Sequence, residues 1–197
     1  MKLELTKFSN EAKKLYSKYE DEIDDIIIYG SSMKGKDKPN DIDVLIIFSE
    51  KVNKEVEYSF RNSLKSFSEI TSVNSVTLKE LRSGNFAATE GLYLEGYSLI
   101  RRKLLAEEMA LLGTAIIIYD VSKIKGSDRI RFYYALNGRN GSKGFVLSVG
   151  AKRLADNVLL CKYDKIEEIK PFFEQWKIPI EILPALIPKR LEVLMKW

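Results

Sequence analysis

The sequence predicts an α/β (α+β) protein, with a mixed sheet and helices in its first part and a smaller C-terminal α/β domain. Two observations predict this fold class. Short β-branched runs, such as residues 25–30 and 42–48, have the composition of buried strands. Other segments, of which residues 51–67 are the clearest, carry apolar residues at helical spacing. Strands that alternate with helices indicate layers of helix packed on sheet.

The elements are predicted in chain order from these periodicities. We predict helices at residues 9–22, 51–67, 78–82, 101–113, 127–139, 164–177 and, as a short one, 188–197. We predict strands or extended segments at residues 25–30, 42–48, 70–78, 95–103, 114–120, 157–163 and 178–187. The first helix is expected to begin at a cap, Ser9 or Asn10. The connecting helix at 101–113 suggests a boundary that divides the chain into domains 1–104 and 105–197.

The composition excludes several classes of chemistry. The chain has no histidine and one cysteine, Cys161, so it holds no Ser-His or Cys-His nucleophile pair and no histidine-ligated zinc site. Carboxylates, lysines, hydroxyls and a hard, oxygen-bound metal remain, with magnesium as the first candidate. A lone cysteine allows no intrachain disulfide and suggests a reducing compartment. Together with the lack of a membrane-spanning run or a signal-peptide core, this leads us to expect a cytoplasmic protein with no membrane partner.

Positive charge is concentrated in the second half of the chain. Residues 1–104 are balanced, and residues 123–153 hold eight basic residues against one acid, Asp128. A basic patch suggests RNA or DNA as a partner. The candidate nucleic-acid-binding residues are Arg129, Arg131, Arg139, Lys143, Lys152 and Arg153. The loop at residues 137–144 is expected to be flexible.

Aromatic residues lie among these charges and allow two interpretations. Phe132, Tyr133, Tyr134 and Phe145 are of the kind that stacks on unpaired bases. The helical spacing of Phe132, Tyr133 and Leu136 is more typical of the inner face of a helix.

The most informative stretch reads G-S-x-x-K-G-x-x-x-x-N-D-I-D and lies between two predicted strands, at residues 30–43. Gly30 allows backbone amides to approach a phosphate closely, and hydroxyl and ammonium groups follow it. The candidate nucleotide-binding residues are Gly30, Ser31, Ser32 and Lys34. Asp41 and Asp43, two apart on an extended chain, point to the same side of the sheet. Two such carboxylates repel each other unless they chelate a metal that also bridges triphosphate oxygens, so both are candidate metal-binding and catalytic residues.

This pattern resembles the DNA polymerase beta-like nucleotidyltransferase superfamily, in its short "minimal" prokaryotic form. The matching residues are Gly30, Ser31, Lys34, Gly35, Asp41 and Asp43. The resemblance covers about residues 20–102, and residues 105–197 resemble no family that we recognise. It implies a nucleotidyltransferase-like mixed sheet, nucleotide phosphates at Gly30 and Ser31, and Mg²⁺ (or Mn²⁺) on Asp41 and Asp43 with a nucleoside triphosphate as substrate. The alternative is a chance Gly-Ser turn followed by a solvated Asp-x-Asp.

The sequence departs from the family at one position. Many members supply a third carboxylate from the third strand, and the matching residue here is Asn74. An amide ligates a hard metal only weakly and does not act as a general base. Glu69 and Glu80 flank the strand and are the acids that could replace it.

Two main functions therefore stand side by side. The first is a Mg²⁺-dependent nucleotidyltransferase that moves a nucleoside monophosphate from a triphosphate to an acceptor, either an RNA end or a protein hydroxyl, docked on the basic second half. The second is a non-catalytic nucleotide- or nucleic-acid-binding regulatory protein with a degenerate transferase fold. Short family members often act with a partner. A third hypothesis is therefore that the protein is one half of a toxin–antitoxin or other two-protein assembly, or forms a homodimer.

Overall fold

The computed structural model describes residues 2–30, 42–65, 71–84 and 86–192. The chain divides into two compact units, Met1–Met109 and Ala110–Trp197. The helices are α1 (Lys2–Lys18), α2 (Lys54–Lys65), α3 (Leu78–Arg82), α4 (Thr89–Glu95), α5 (Leu105–Glu108), α6 (Gly126–Asn137), α7 (Phe145–Ser148) and α8 (Ile166–Gln175). The strands are β1 (Ile23–Tyr29), β2 (Ile42–Phe48), β3 (Thr71–Thr77), β4 (Tyr97–Ser98), β5 (Lys103–Leu104), β6 (Leu111–Tyr119), β7 (Lys152–Ala155), β8 (Val158–Lys162) and β9 (Ile180–Pro188). The predicted α/β class with a mixed sheet is confirmed.

The first unit is built on a mixed sheet with strand order β3-β2-β1-β4-β5. β2 runs antiparallel to β1 and parallel to β3. Alternating residues of these strands face two apolar layers, one containing α1 and α2 and the other containing α3, α4 and α5. Because of the strand directions, the end of β1 and the beginnings of β2 and β3 meet at one edge of the sheet.

A buried polar cluster lies at the opposite end of β1. Asp25 is fully buried, and its Oδ1 accepts hydrogen bonds from the Ser98 hydroxyl (2.7 Å) and the Ile26 amide (2.8 Å). Its Oδ2 lies 3.3 Å from Nη1 of Arg101, an ion pair without hydrogen-bond geometry. Burial raises the pKa of the Asp25 carboxyl, and the Ser98 hydrogen bond and the Arg101 charge offset this only in part. Arg101 also pairs with Asp24 and Glu108.

The second unit has an antiparallel sheet with strand order β7-β8-β6-β9. Its helices cover one face, where Tyr119, Phe132 and Phe173 form the centre of an aromatic cluster. β9 lies at the edge of this sheet and contains Pro184 and Pro188. Prolines are tolerated in a strand where the missing N–H would face a free edge, and they protect that edge from pairing with another chain.

Some predicted elements are wrong. α1 begins at Lys2, and the expected cap residue Ser9 is buried inside it. The connecting helix predicted at 101–113 is a two-residue strand, a four-residue helix and the start of β6. Pairing with β4 and β9 fixes the backbone on either side of this short helix, and this tertiary pairing overrides the local helical period. α7 and β7 were not predicted. Among the described helices, none is both long and apolar enough to cross a bilayer.

Candidate active site

Gly30 and Asp43, the first and last residues of the 30–43 motif, are in direct contact. Tyr29 and Asp43 are paired residues in the β1–β2 ladder, and Gly30 follows at the end of β1. Gly30 has φ = +80°, and a Cβ placed on it would lie 2.6 Å from Oδ2 of Asp43. The half-buried carboxylate therefore rests against backbone that only glycine leaves bare. This position requires glycine both for its backbone conformation and for its neighbour.

Three neutral polar side chains share the sheet face of Asp43. Tyr29 belongs to the apolar layer of that face, Ser72 is the parallel ladder partner of Asp43, and Asn74 lies two residues further along β3. Nδ2 of Asn74 lies 3.2 Å from the Ser72 hydroxyl and 3.5 Å from the Tyr29 hydroxyl. Both Ser72 and Asn74 are exposed. Among the described residues, this edge thus presents the Asp43 carboxylate beside an amide and two hydroxyls.

Tyr29 is held firmly at this edge. Its ring is 8% exposed and packs edge-on against Phe86, with the ring centroids 6.4 Å apart. Burial raises the pKa of the Tyr29 hydroxyl; the hydrogen bond from Asn74 lowers it, and the negative charge of Asp43 raises it again. The phenol therefore stays protonated at neutral pH and acts as a neutral hydrogen-bonding group.

Other predicted site residues fall outside the described part of the chain. These are Ser31, Ser32, Lys34, Asp41 and the flanking acid Glu69. Glu80, the other flanking acid, is engaged elsewhere, because it forms a capping box with Thr77 at the start of α3. The backbone amide and hydroxyl of Thr77 donate hydrogen bonds to it and lower the pKa of Glu80. Thr77 lies five residues along β3 from Ser72, about 16 Å away.

The chemistry of this edge fits a hard divalent cation. Carboxylate, hydroxyl and amide oxygens are the ligand types that Mg²⁺ and Mn²⁺ prefer. Within residues 2–30, 42–65, 71–84 and 86–192, no three acidic or cysteine side chains gather as a ligand set. Asp43 is thus the described member of the proposed pair, and Asp41 stands outside these ranges.

The sequence reasoning missed Tyr29 and Ser72. Both are placed beside Asp43 by strand pairing rather than by sequence proximity to it. The signal for Tyr29 was its position directly before Gly30. In an antiparallel pair the end of the first strand lies beside the beginning of the second, so the end of β1 lies beside Asp43. Ser72 has no comparable local signal.

The predicted basic residues of the second unit have different surroundings. Arg131 lies 3.6 Å from Asp128, and Arg153 pairs with Asp156 and lies over the ring of Tyr133. Arg129, Arg139 and Lys143 are exposed, and Lys152 is half-buried. The guanidinium of Arg139 lies 4.5 Å from the ring centroid of Tyr134.

The structure separates the aromatic residues of this region. Phe132 is fully buried, and Phe145 stacks on Phe172 with centroids 4.0 Å apart. Tyr133 is half-buried and donates its hydroxyl to Asn157 (3.3 Å). Tyr134 is 42% exposed. The inner-face interpretation therefore holds for Phe132 and Leu136, which are fully buried, and Tyr133 packs against the same core. Of the four aromatic residues, Tyr134 is the exposed one.

Comparison with known families supports the motif. Residues 10–103 match the family described as "Polymerase beta, Nucleotidyltransferase". Those residues therefore resemble a nucleotidyltransferase domain. The resemblance read from residues 30–43 is thereby confirmed for the first unit. The matched region spans a little under half of the chain.

Comparison with solved structures gives matches of low identity and low TM-score. One is a crystal structure of a toxin–antitoxin with AMP-PNP, with 19% identity, a TM-score of 0.36, and coverage of 46% of this chain and 71% of that one. Another is a tri-AMPylated Shewanella oneidensis HEPN toxin in complex with its MNT antitoxin, with 16% identity, a TM-score of 0.35, and coverage of 53% and 78%. Similarity at this level carries no function. Comparison with curated proteins gives no match.

Proposed function

We propose that the protein is a Mg²⁺-dependent nucleotidyltransferase that transfers a nucleoside monophosphate from a triphosphate to an acceptor hydroxyl. The observation that carries this proposal is the contact between Gly30 and Asp43 inside a matched nucleotidyltransferase domain. A phosphate-binding turn and a metal-binding carboxylate act on the same triphosphate only if they are adjacent. Here Gly30, the first residue of the predicted phosphate-binding segment, lies against the Asp43 carboxylate.

The residues of the chain divide the work between them. Backbone amides after Gly30, with Ser31, Ser32 and Lys34, hold the triphosphate, and Asp41 and Asp43 hold the cation. When bound, the divalent cation neutralises charge on the triphosphate oxygens and on the leaving pyrophosphate. Gly30 keeps the Asp43 carboxylate close to the phosphate turn. In the reaction the acceptor oxygen bonds to the α-phosphorus, pyrophosphate leaves, and the hydroxyl proton passes to water.

The acceptor is proposed to be an RNA end or a protein hydroxyl. Its proposed docking surface is the basic second unit, with Arg129, Arg131, Arg139, Lys143, Lys152 and Arg153 as the contributing cations. Exposed lysines and arginines neutralise phosphates without reading sequence. The proposal therefore assigns the chemistry to the first unit and acceptor binding to the second.

The test is label transfer from each of the four α-labelled nucleoside triphosphates, with Mg²⁺ or Mn²⁺, to total RNA and to cell extract. Wild type is compared with Asp43→Asn, which keeps the shape of the side chain and removes its charge. We expect label on the acceptor with wild type and none with Asp43→Asn, with the same melting temperature for both. Transfer that persists in a folded Asp43→Asn protein would refute the proposal.

A non-catalytic nucleotide- or nucleic-acid-binding protein is the second candidate, and one observation favours it. Asn74, which stands where many family members have an acid, lies among neutral side chains, Tyr29 and Ser72. Under this alternative, triphosphate binds in the presence of Mg²⁺ and no label moves with any acceptor. Binding without transfer in the same experiment would decide for it.

A further inference from the structure

The solvent-facing side of α6 is not explained by nucleotidyl transfer. α6 buries Phe132 and Leu136, and on the other side Ile130 and Tyr134 are 53% and 42% exposed. Residues four apart lie one above the other on a helix face. Ile130 and Tyr134 therefore form a short apolar stripe on the exposed face of α6.

Two arginines lie beside this stripe. The guanidinium of Arg139 lies 4.5 Å from the ring centroid of Tyr134, within the range of a cation–π contact. Arg131 lies beside the stripe, one residue beyond Ile130, and its nearest acid is Asp128 at 3.6 Å, with both side chains largely exposed. The stripe therefore combines a flat aromatic ring with positive charge. We call Ile130, Arg131, Tyr134, Arg139 and Lys143 the α6 surface.

The loop that carries Arg139 and Lys143 is closed by contacts between the backbone at its two ends. Gly138 has φ = +86°, and its N–H donates to the Tyr134 carbonyl at 2.9 Å. A Cβ on Gly138 would collide with the Ser142 carbonyl, and a Cβ on Gly144 would collide with the backbone of Gly138. The two ends of the loop are therefore packed backbone to backbone.

A hydrogen bond inside the loop fixes the position of Arg139. The Ser142 amide donates to the Arg139 carbonyl at 3.0 Å, and the Arg139 amide lies 3.4 Å from the Ser142 hydroxyl. The backbone that carries the Arg139 guanidinium is thus a closed turn, and a preorganised backbone loses less entropy when a ligand binds.

We propose that the α6 surface binds single-stranded nucleic acid, with an unpaired base stacked on Tyr134 and the adjacent phosphates contacted by Arg131, Arg139 and Lys143. Every base has a π-face that stacks on an aromatic ring, whereas in a duplex these faces are covered by neighbouring bases. A ring 42% exposed beside a guanidinium fits an unpaired base better than a duplex. The inference rests on the proposed function in one respect: the bound strand is taken to be the acceptor of nucleotidyl transfer.

The test is fluorescence anisotropy with a labelled oligouridine of about 12 nucleotides, within the site sizes of single-strand binders, and with a duplex of the same length. Tyr134→Ala is expected to weaken oligouridine binding by about 5-fold to 150-fold, the range for loss of one stacked base. Tyr134→Phe keeps the ring and is expected to bind as wild type does. Arg139→Lys keeps the charge without the planar group and is expected to fall between them.

Matched controls separate stacking from general charge. Tyr58 is an exposed tyrosine of the first unit (64% exposed), and Tyr58→Ala is expected to leave binding unchanged. Weakening of the oligouridine alone by Tyr134→Ala, with duplex binding unchanged, supports the proposal. Equal oligouridine binding by wild type and Tyr134→Ala refutes the proposal. The proposal is also refuted if polyglutamate displaces the labelled oligouridine as well as unlabelled oligouridine does, and that result assigns the surface to an acidic polypeptide.

The same proteins distinguish this inference from the proposed function. Asp43→Asn is expected to bind oligouridine as wild type does, because Asp43 lies outside the α6 surface. If Tyr134→Ala still transfers label and loses no affinity for oligouridine, the inference is refuted and the proposed function is unaffected. If oligouridine binding depends on Tyr134 but the protein transfers no label, the inference stands and the proposed function is refuted.

Discussion

Asp25 and Asp43 are two carboxylates at opposite ends of the same sheet, and their surroundings differ in kind. Asp25 is fully buried, and Ser98, Ile26 and Arg101 all contact it from within the first unit. Asp43 is half-buried at an edge, against the bare backbone of Gly30. The groups around Asp25 serve folding, and Asp43 is the residue that we propose as a ligand of the metal. A change at the Asp25 end should therefore alter stability, and a change at the Asp43 end should alter chemistry.

The largest expected effect is that of Gly30→Ala. The added methyl group would meet Oδ2 of Asp43 at 2.6 Å, and alanine at φ = +80° costs about 1–2 kcal/mol. Because a 1 Å displacement of a catalytic group lowers rates by about 100-fold, we expect label transfer to fall by at least that much.

Gly84→Ala is the matched control for backbone strain. Gly84 also has positive φ (+73°), but a Cβ there would meet nothing within 4 Å. Both variants should lose similar stability in urea unfolding, and only Gly30→Ala should lose transfer. Equal loss of transfer in both would show that the Gly30–Asp43 contact has no specific role.

The second effect is on stability, at the other end of the sheet. Arg101→Ala removes the cation beside buried Asp25, and a buried carboxylate left without its partner is costly. Because Arg101 is itself partly exposed, we expect a loss of about 2–3 kcal/mol in the free energy of unfolding. Lys103→Ala is the control, since Lys103 pairs with Glu108 but does not contact Asp25. Nucleotide binding per folded molecule should be unchanged in both variants.

The sequence predicted the Asp43 end of this comparison better than the Asp25 end. Gly30 and Asp43 are 13 residues apart in a motif with fixed spacing, so local reading found both. Asp25 depends on Ser98, which is 73 residues away. Without the pairing of β1 with β4, Asp25 reads as one more charge in an acidic run. Tyr29 and Ser72 were missed for the same reason, because strand register places them beside Asp43.

The elements themselves show the same limit. The strong local patterns of β1, β2 and α2 predict these elements to within a few residues, because β1 and β2 are short continuous apolar runs and α2 has one apolar face. Residues 101–113 were read as one helix. Their last part is instead the start of β6, because Leu111 pairs with Pro188 of β9. The local sequence pattern does not indicate a pairing partner so far along the chain.

A third prediction concerns Asn74 and is of moderate size. Asn74→Asp adds a carboxylate on the sheet face of Asp43, and additional ligand charge tightens binding of a hard cation. We expect Mn²⁺ affinity, measured by calorimetry, to rise about tenfold, with the melting temperature unchanged because Asn74 is exposed. Asn74→Leu is the comparison, and a rise in affinity in that variant would contradict the role of charge.

The smallest expected effect is a difference in pH dependence between two buried carboxylates. Burial raises the pKa of Asp25 in the folded protein, so its contribution to stability is present below the ordinary pKa of about 4 and is lost as pH rises above it. For Glu57, burial also acts to raise the pKa, but hydrogen bonds from Lys54 and Ser75 outweigh it and leave the pKa lowered. Its contribution is present above the ordinary pKa and is lost on acidification.

The two carboxylates can be separated by urea unfolding between pH 3 and 7 with Asp25→Asn and Glu57→Gln. Relative to wild type, Asp25→Asn should gain stability as pH rises, because the variant has no carboxyl to ionise in a buried site. Glu57→Gln should lose stability relative to wild type over the same rise. Opposite slopes would show that ionisation of Asp25 destabilises the folded protein even with Arg101 beside it, whereas ionisation of Glu57 stabilises the folded protein. If both variants change in the same direction, the Arg101 pair compensates fully for burial, and Asp25 is a charged structural group like Glu57.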